Sequence, residues 1–343
     1  MIKSLLQEGF IYKSKGYYKH AIEAFYKALE LDNTSVELLL EIADVYYLMG
    51  DEERALNYIE QVLDSNPTHV ESLKLLKKIF INKKAWAEAE QTAKNIYCIT
   101  KNNNSVAEIF KLINKQGRYD EIFEYQITEP TFEILYEMAF AKYMKKDFEE
   151  ALDLINKSLE ISSETSSLLL KGKILFKLNR KEECSEILKL IIIDENDSEI
   201  MNFIGLVKQY EQDLKTAIKY FLKAVKLDSA NDEYYYNCAS TYFKMGDVTL
   251  ARKYYNLAIS ISPDNQNYHF ALANLYYSEK HYKRALEELK YDFFEAKLLK
   301  SIILYDSGYL VLAKNELEAL AKEQPNNPIV MDYKSRIEEE LKI

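Results

Sequence analysis

From residue 18 to residue 29 the chain reads YKHAIEAFYKAL, with apolar side chains at 21, 22, 24, 25 and 28 and polar ones at 19, 20, 23 and 27. That recurrence at i, i+3, i+4 and i+7 predicts an amphipathic helix. Its apolar stripe is unusual, because Ala21, Ala24 and Ala28 stand where leucine would serve a purely greasy face, among Tyr18, Phe25 and Tyr26. Small residues at helical spacing imply that a second helix comes very close. Gly (8) and Pro (5) are too scarce in 343 residues to interrupt such patterns often, so helix is expected nearly throughout.

Shifted against itself by 34 residues, the sequence superimposes like on like. Ala21 meets Ala55 and Ala89, Tyr12 meets Tyr46 and Phe80, and Ala28 meets Val62 and Ile96. Gly9 meets Ala43, Gly16 meets Gly50, and Asn33 meets Pro67. The same step joins Ala217, Ala251 and Ala285, and Gly205, Ala239 and Ala273. Between the two runs the step is 33, through Ala139, Gly172 and Gly205 and through Ala151, Cys184 and Ala217. The small columns let two antiparallel helices approach, while Tyr12 and Phe25 fill the space on either side. Gly16 and Gly50 ease the turn between helices, and Pro67, Pro263 and Pro325 stop a second helix.

A 34-residue period with two helices per unit, fixed small positions and a closing proline resembles the tetratricopeptide repeat (TPR) family. The residues carrying the resemblance in the first unit are Leu5, Gly9, Tyr12, Gly16, Tyr18, Ala21, Phe25 and Ala28. In the second they are Leu39, Ala43, Tyr46, Gly50, Ala55, Ile59 and Pro67; the eighth repeats them with Tyr235, Ala239, Tyr242, Gly246, Ala251, Tyr255, Ala258 and Pro263. The resemblance covers nearly the whole chain. It implies an all-α fold: a right-handed α-solenoid, or superhelix, of about ten helix-turn-helix units with a capping helix from Pro328 to Ile343. Two units, 103–131 and 266–293, are short. They are expected to divide the array into an N-terminal block 1–131, a central block 132–293 and a last unit with its cap, 294–343.

Composition narrows the function. At 48% apolar residues the chain is too hydrophobic for disorder. A net charge of −10 without a basic block argues against nucleic acid, whose binding needs clustered Lys and Arg. No apolar run reaches the 18 or so residues of a membrane span, so no membrane insertion is expected, and the first residues lack a signal-peptide core. Cys98, Cys184 and Cys238 match no metal or redox spacing and read as small core residues in a reducing, cytoplasmic compartment. The abundance of Lys, Asn, Ile, Tyr and Glu suggests an AT-rich bacterial genome. His20, His69, His269 and His281 show no ligand spacing, and no nucleophile elbow or phosphate loop occurs. The chain is therefore expected to be no enzyme, with no metal and no cofactor.

Function should then lie on the groove that, by the resemblance, the first helices line. Off their core stripe, the central and C-terminal units place Tyr136, Phe140, Tyr143, Lys173, Asn202, Tyr236, Asn237, Phe243, Phe270, Asn274 and Tyr277. Aromatics give contact area at low entropic cost, and an asparagine amide can both donate to and accept from a peptide backbone. Some TPR superhelices hold peptides with such asparagines, although these three do not share one column. The family's carboxylate clamp is absent, since its places in the first three units hold Leu6, Phe10, Glu41, Glu71 and Leu75. Two readings of the aromatics stand side by side, groove binding and packing between units, with self-association a third. The expected role is a scaffold for a partner protein or extended peptide. A homo-oligomer assembled through the solenoid ends, or a regulatory subunit of an enzyme on another chain, is the alternative.

Overall fold

The computed structural model describes residues 1–191 and 193–341. Ile192 lies outside the described residues, as do Lys342 and Ile343 at the end of the expected capping helix. Among the described residues are twenty α-helices, one 3-10 helix and no strand. They form two compact units, Met1–Arg180 and Lys181–Ile343.

The first unit holds α1 (Ile2–Ser14), α2 (Tyr18–Leu29), α3 (Val36–Leu48), α4 (Glu52–Ser65), α5 (Val70–Asn82) and α6 (Trp86–Thr100). It continues with α7 (Asn103–Lys115), a 3-10 helix (Glu121–Glu124), α8 (Phe132–Met144), α9 (Phe148–Ile161) and α10 (Thr165–Lys177). The second unit holds α11 (Lys181–Leu190), α12 (Ser198–Tyr210), α13 (Leu214–Leu227), α14 (Asp232–Lys244) and α15 (Val248–Ile261). After these come α16 (Gln266–Ser278), the short α17 (Tyr282–Glu288), α18 (Phe294–Asp306), α19 (Leu310–Glu323) and α20 (Pro328–Leu341). Within each unit, first helices pack on their own second helices, as α1 on α2 and α14 on α15, and second helices pack on the next first helix, as α2 on α3 and α15 on α16. This is the helix-on-helix stacking of an α-solenoid.

Local chemistry sets the length of each element. The ten first helices, α1, α3, α5, α7, α8, α10, α12, α14, α16 and α18, are thirteen residues each. Several start on a side chain that accepts from the first-turn amides, among them Ser35 for α3, Thr131 for α8 and Asn231 for α14. Each ends two residues before a single left-handed residue. That turn column runs Gly16, Gly50, Lys84, Gly117, Lys146, Asn179, Gln212, Gly246, Lys280 and Gly308, all at positive φ. Glycine enters the region freely, whereas a side chain there costs about 1–2 kcal/mol. The four non-glycine turns that lie within a unit, Lys84, Lys146, Gln212 and Lys280 at φ between 57° and 67°, therefore persist only because the flanking pair of helices over-determines them.

Five residues after each turn lies the small column, and it is the best-buried line in the molecule. Ala21, Ala55, Ala89, Ala151, Ala217, Ala251, Ala285 and Ala313 are all fully buried. On the first helices the facing positions include Gly9, Ala43, Ala139, Gly205, Ala239 and Ala273, again without solvent. Glycine is used where a phenylalanine ring lies over the helix. A Cβ on Gly9 would stand 2.3 Å from Phe25 Cε1, and one on Gly205 would stand 2.5 Å from Phe221 Cε1. Where Ala43 or Ala139 replaces it, the residue at the phenylalanine position is Ile59 or Ile155. An aromatic does not by itself demand glycine, since Tyr255 shares a core cluster with Ala239.

Gly205→Ala is thus an overpacking change, expected to cost about 1–3 kcal/mol. The same alanine added to a Phe221→Leu variant should cost clearly less, because the obstructing ring is gone. Chemical denaturation midpoints of the four proteins test this; additive losses would mean that the helix moves aside rather than the ring.

Candidate partner-binding face

The first helices touch one another along their length through polar side chains. In the first unit Lys13 of α1 pairs with Glu41 and Asp44 of α3, each at 2.6 Å. Asn82 of α5 donates to the Tyr47 hydroxyl at 3.0 Å, and Lys77 of α5 pairs with Glu108 of α7. Lys77 occupies the small column of its helix and is almost fully buried, so its ammonium must travel outward to reach that carboxylate. In the second unit Tyr277 of α16 donates to Asp306 of α18 at 2.6 Å.

The residues singled out from sequence fall into two groups. In the first unit, Tyr136, Phe140 and Tyr143 of α8 and Lys173 of α10 are all half-buried. Tyr136 lines a cavity, and the Tyr143 ring lies 5.8 Å from that of Phe148. In the second unit the aromatics pack on neighbouring helices while keeping part of each ring in solvent. Tyr236 stacks on Tyr268 of α16 at 5.0 Å, and Phe270 meets Phe293 edge-on at 5.5 Å. Tyr277 lies 6.2 Å from Tyr282, and Phe243 flanks the cluster of Ala239, Ala251 and Tyr255.

The asparagines are engaged within the chain. Asn237 is 6% exposed and Asn202 4%, and the Asn237 amide donates to Asn202 Oδ1 at 2.8 Å across the α12–α14 seam. Asn274 donates to the Phe270 carbonyl of its own helix at 2.9 Å. The Asn202–Asn237 pair continues into a network the sequence did not reveal. Thr241 Oγ1 donates to the Asn237 carbonyl at 2.7 Å, Gln209 donates to Thr241 Oγ1 at 2.7 Å, and Lys244 donates to Gln209 at 3.0 Å. Gln209 and Thr241 stand 32 residues apart rather than 34, so no column marks them.

The cavity beside Tyr136 has a volume of about 340 Å³ and is formed by α7, α8 and α10. Phe132 and Tyr136 supply its aromatic wall, and Ser166 and Ser167 close it from α10. Its charged residues are Glu108, Lys111, Glu133 and Glu137. Burial pushes the Glu137 carboxyl above the usual carboxylate range, against the opposing pull of a hydrogen bond from Asn114 and of Lys111 and Lys115. Asn114 donates to Glu137 Oε2 at 2.8 Å and to its carbonyl at 3.0 Å, while Asn114 Oδ1 is buried without a donor among the described residues. An orphaned acceptor of this kind costs about 1–3 kcal/mol. Glu137 and Asn114 were also missed from sequence, since the shortened unit between them breaks the period.

Among the described residues no group of three His, Cys, Asp or Glu could hold an ion. Cys98 is exposed, against the expectation that all three cysteines are core residues, while Cys184 and Cys238 are buried; none of the three is in a disulfide, and burial pushes the Cys238 thiol up to about 12, away from thiolate chemistry. No helix among the described residues is long and apolar enough to cross a membrane.

Comparison with known proteins agrees with this architecture. Models of the tetratricopeptide repeat match residues 14–76 and 232–265, and a TPR repeat model matches residues 205–246. A TPR repeat-containing protein of Methanocaldococcus jannaschii is 24% identical over 234 residues, covering 68% of this chain and 34% of its own length. The photosystem I assembly protein Ycf3 of Prochlorococcus marinus is 35% identical over 77 residues, 22% of this chain and 44% of that protein. The chain thus spans between a third and a half of these relatives. Among solved structures, Cut9 in the APC/C hetero-tetramer Cut9–Hcn1 superimposes with a TM-score of 0.64 at 11% identity, over 96% of this chain and 74% of that one. The chain is a tetratricopeptide-repeat protein.

Two measurements probe the polar seams. Asn237→Ala strands the Asn202 carbonyl in the interior and should cost about 1–3 kcal/mol, whereas replacing both asparagines by leucine should be nearly neutral. Denaturation midpoints decide this, and an unaffected single variant would mean that water replaces the lost amide. Glu137 gives the second. Its folded-state carboxyl holds a proton more tightly than the unfolded one, so stability falls as pH rises from the ordinary value of 4.5 through the raised one. Glu137→Gln stays neutral and should lose that fall, gaining on wild type between acidic and neutral pH in thermal melts. Parallel pH profiles would show that the carboxylate is fully solvated.

Proposed function

We propose that this protein is a non-catalytic scaffold that holds an extended segment of a partner protein along the face of its first helices. The observation that carries this reading is the cavity beside Tyr136, a concave site with an aromatic wall and several polar groups, formed by three consecutive first helices. Half-exposed aromatics continue that kind of surface: Phe140 and Tyr143 in the first unit, and Tyr236, Phe243, Phe270 and Tyr277 in the second. Asn202 and Asn237 serve it from beneath by fixing the spacing of α12 and α14. The names of the relatives fit such a role, one being an assembly protein and another the partner of Hcn1 in a complex. We place this scaffold in the cytoplasm, a compartment in which its three cysteines, none of them in a disulfide, stay reduced.

The test is selection of random displayed peptides on the immobilised full-length chain, followed by affinity measurement with the peptides recovered. Tyr136→Ala should weaken them by about tenfold or more while preserving the helical melt, as expected for an aromatic anchor in a pocket. Peptides that bind Tyr136→Ala and Tyr236→Ala as well as wild type would remove the first-helix face from consideration.

A further inference from the structure

One histidine ties together the shortened unit of the second half, in which α17 has only seven residues and the connection 289–293 leads straight into α18. His269, near the start of α16, brings Nδ1 to 2.6 Å from Glu288 Oε2 at the end of α17. Its Nε2 lies 2.8 Å from the carbonyl oxygen of Pro263, in the turn before α16. A carbonyl and a carboxylate only accept, so both ring nitrogens must donate, which the imidazolium alone does. A neutral ring meets one acceptor and turns a lone pair toward the other. The preceding unit provides a comparison. Tyr235 and Ser229 stand 34 residues before His269 and Pro263, and the Tyr235 hydroxyl donates to the Ser229 carbonyl at 3.2 Å. A phenol makes that bond at any pH near neutrality, whereas histidine changes charge between about pH 5 and pH 8.

We propose that His269 is a pH-sensitive clasp on this unit. Protonated, it holds the end of α17 and the turn before α16 together; neutral, it releases Glu288 or Pro263, and the connection to α18 loosens. Each charge has the wrong sign for its own helix end, a cation near the start of α16 and an anion at the end of α17, so the two depend on each other. Among the described residues no other cation lies within ion-pair distance of Glu288. Other groups stand around the ring on each neighbouring element. The Tyr291 ring is 5.3 Å away and its hydroxyl donates to the same Pro263 carbonyl at 3.4 Å, while burial, with Asp264 and Glu288, pushes that hydroxyl up. Lys290 and Asp292 flank Tyr291, and Lys297 of α18 is held by Asp292 and Glu323. Asp232 and Glu233 of α14 act on the adjacent Tyr268, His281 stands at the far end of α17, and α15 carries no ionisable side chain past Tyr255. The clasped state binds one more proton, so its stabilisation is present at acidic pH and is lost as pH rises through the histidine range. Phe293 ends the connection and meets Phe270 edge-on, so loosening it alters the aromatic surface of α16.

Hydrogen exchange of the full-length chain at about pH 6 and pH 8, corrected for the intrinsic pH dependence of exchange, tests the clasp. Protection of residues 282–293 in wild type should fall about tenfold over that rise, the size of one charge-assisted hydrogen bond, while protection of α14 and α15 stays constant. His269→Tyr supplies a neutral donor, as at Tyr235, and Glu288→Gln offers an amide that can accept or donate, so both variants should be independent of pH. Either variant suffices, with the protection of α14 and α15 verifying its fold. Unchanged protection of wild type between the two pH values would overturn the clasp, as would an equal fall in either variant.

Discussion

Everything in this protein depends on how closely two antiparallel helices can approach. At the small column the backbone of a first helix lies against the backbone of its second helix, and in most units only hydrogen or a methyl group stands between them, Lys77 being an exception whose side chain runs outward. The glycines show how tight the constraint is, since the Phe25 and Phe221 rings occupy the space a Cβ would need. The single unit without a second α-helix provides the control that the sequence itself supplies. There the two column positions are Phe110 and Ile122, both large and both without solvent exposure. With a 3-10 turn at Glu121–Glu124 in place of a helix, there is no second helix to bring close, and bulky residues fill the interior instead.

The turns obey the helices rather than the reverse. Ten left-handed residues recur at the same place, but only half of them are glycine. A lysine at φ near 60° is a local loss, small beside the apolar surface buried when the two helices pair. Once the small columns specify the pairing, the connection must reverse direction in the same few residues every time. The left-handed conformation follows whether or not the residue prefers it.

The first-helix face has a different logic. Its contacts are hydrogen bonds and ion pairs between side chains of neighbouring units, such as Asn237 with Asn202 and Lys77 with Glu108, and they do not keep the 34-residue step. Such contacts form wherever donor and acceptor happen to be within reach across a seam. They differ in worth according to burial. The Asn202–Asn237 pair, out of water, is costly to break, whereas a pair such as Lys145 with Asp120 near solvent contributes little. A face built this way can vary from unit to unit without disturbing the solenoid.

The helices, their pairing and the repeat were legible in the sequence, because helix packing is a periodic demand and Ala21, Ala55 and Ala89 answer it with a periodic signal. The aromatic character of the first-helix face could be read for the same reason, from Tyr136 to Tyr277. Which of those residues face solvent could not. Asn202 and Asn237 look like peptide-binding amides when seen one helix at a time, and they become a buried pair only when α12 and α14 are brought together. Asn114, Glu137 and the cavity beside them depend on a unit that has lost its second helix, so the period that made the rest readable is absent there. Helical spacing is a property of one segment and survives in its sequence. Contact across a seam is a property of two segments at once, and only the tertiary structure decides it.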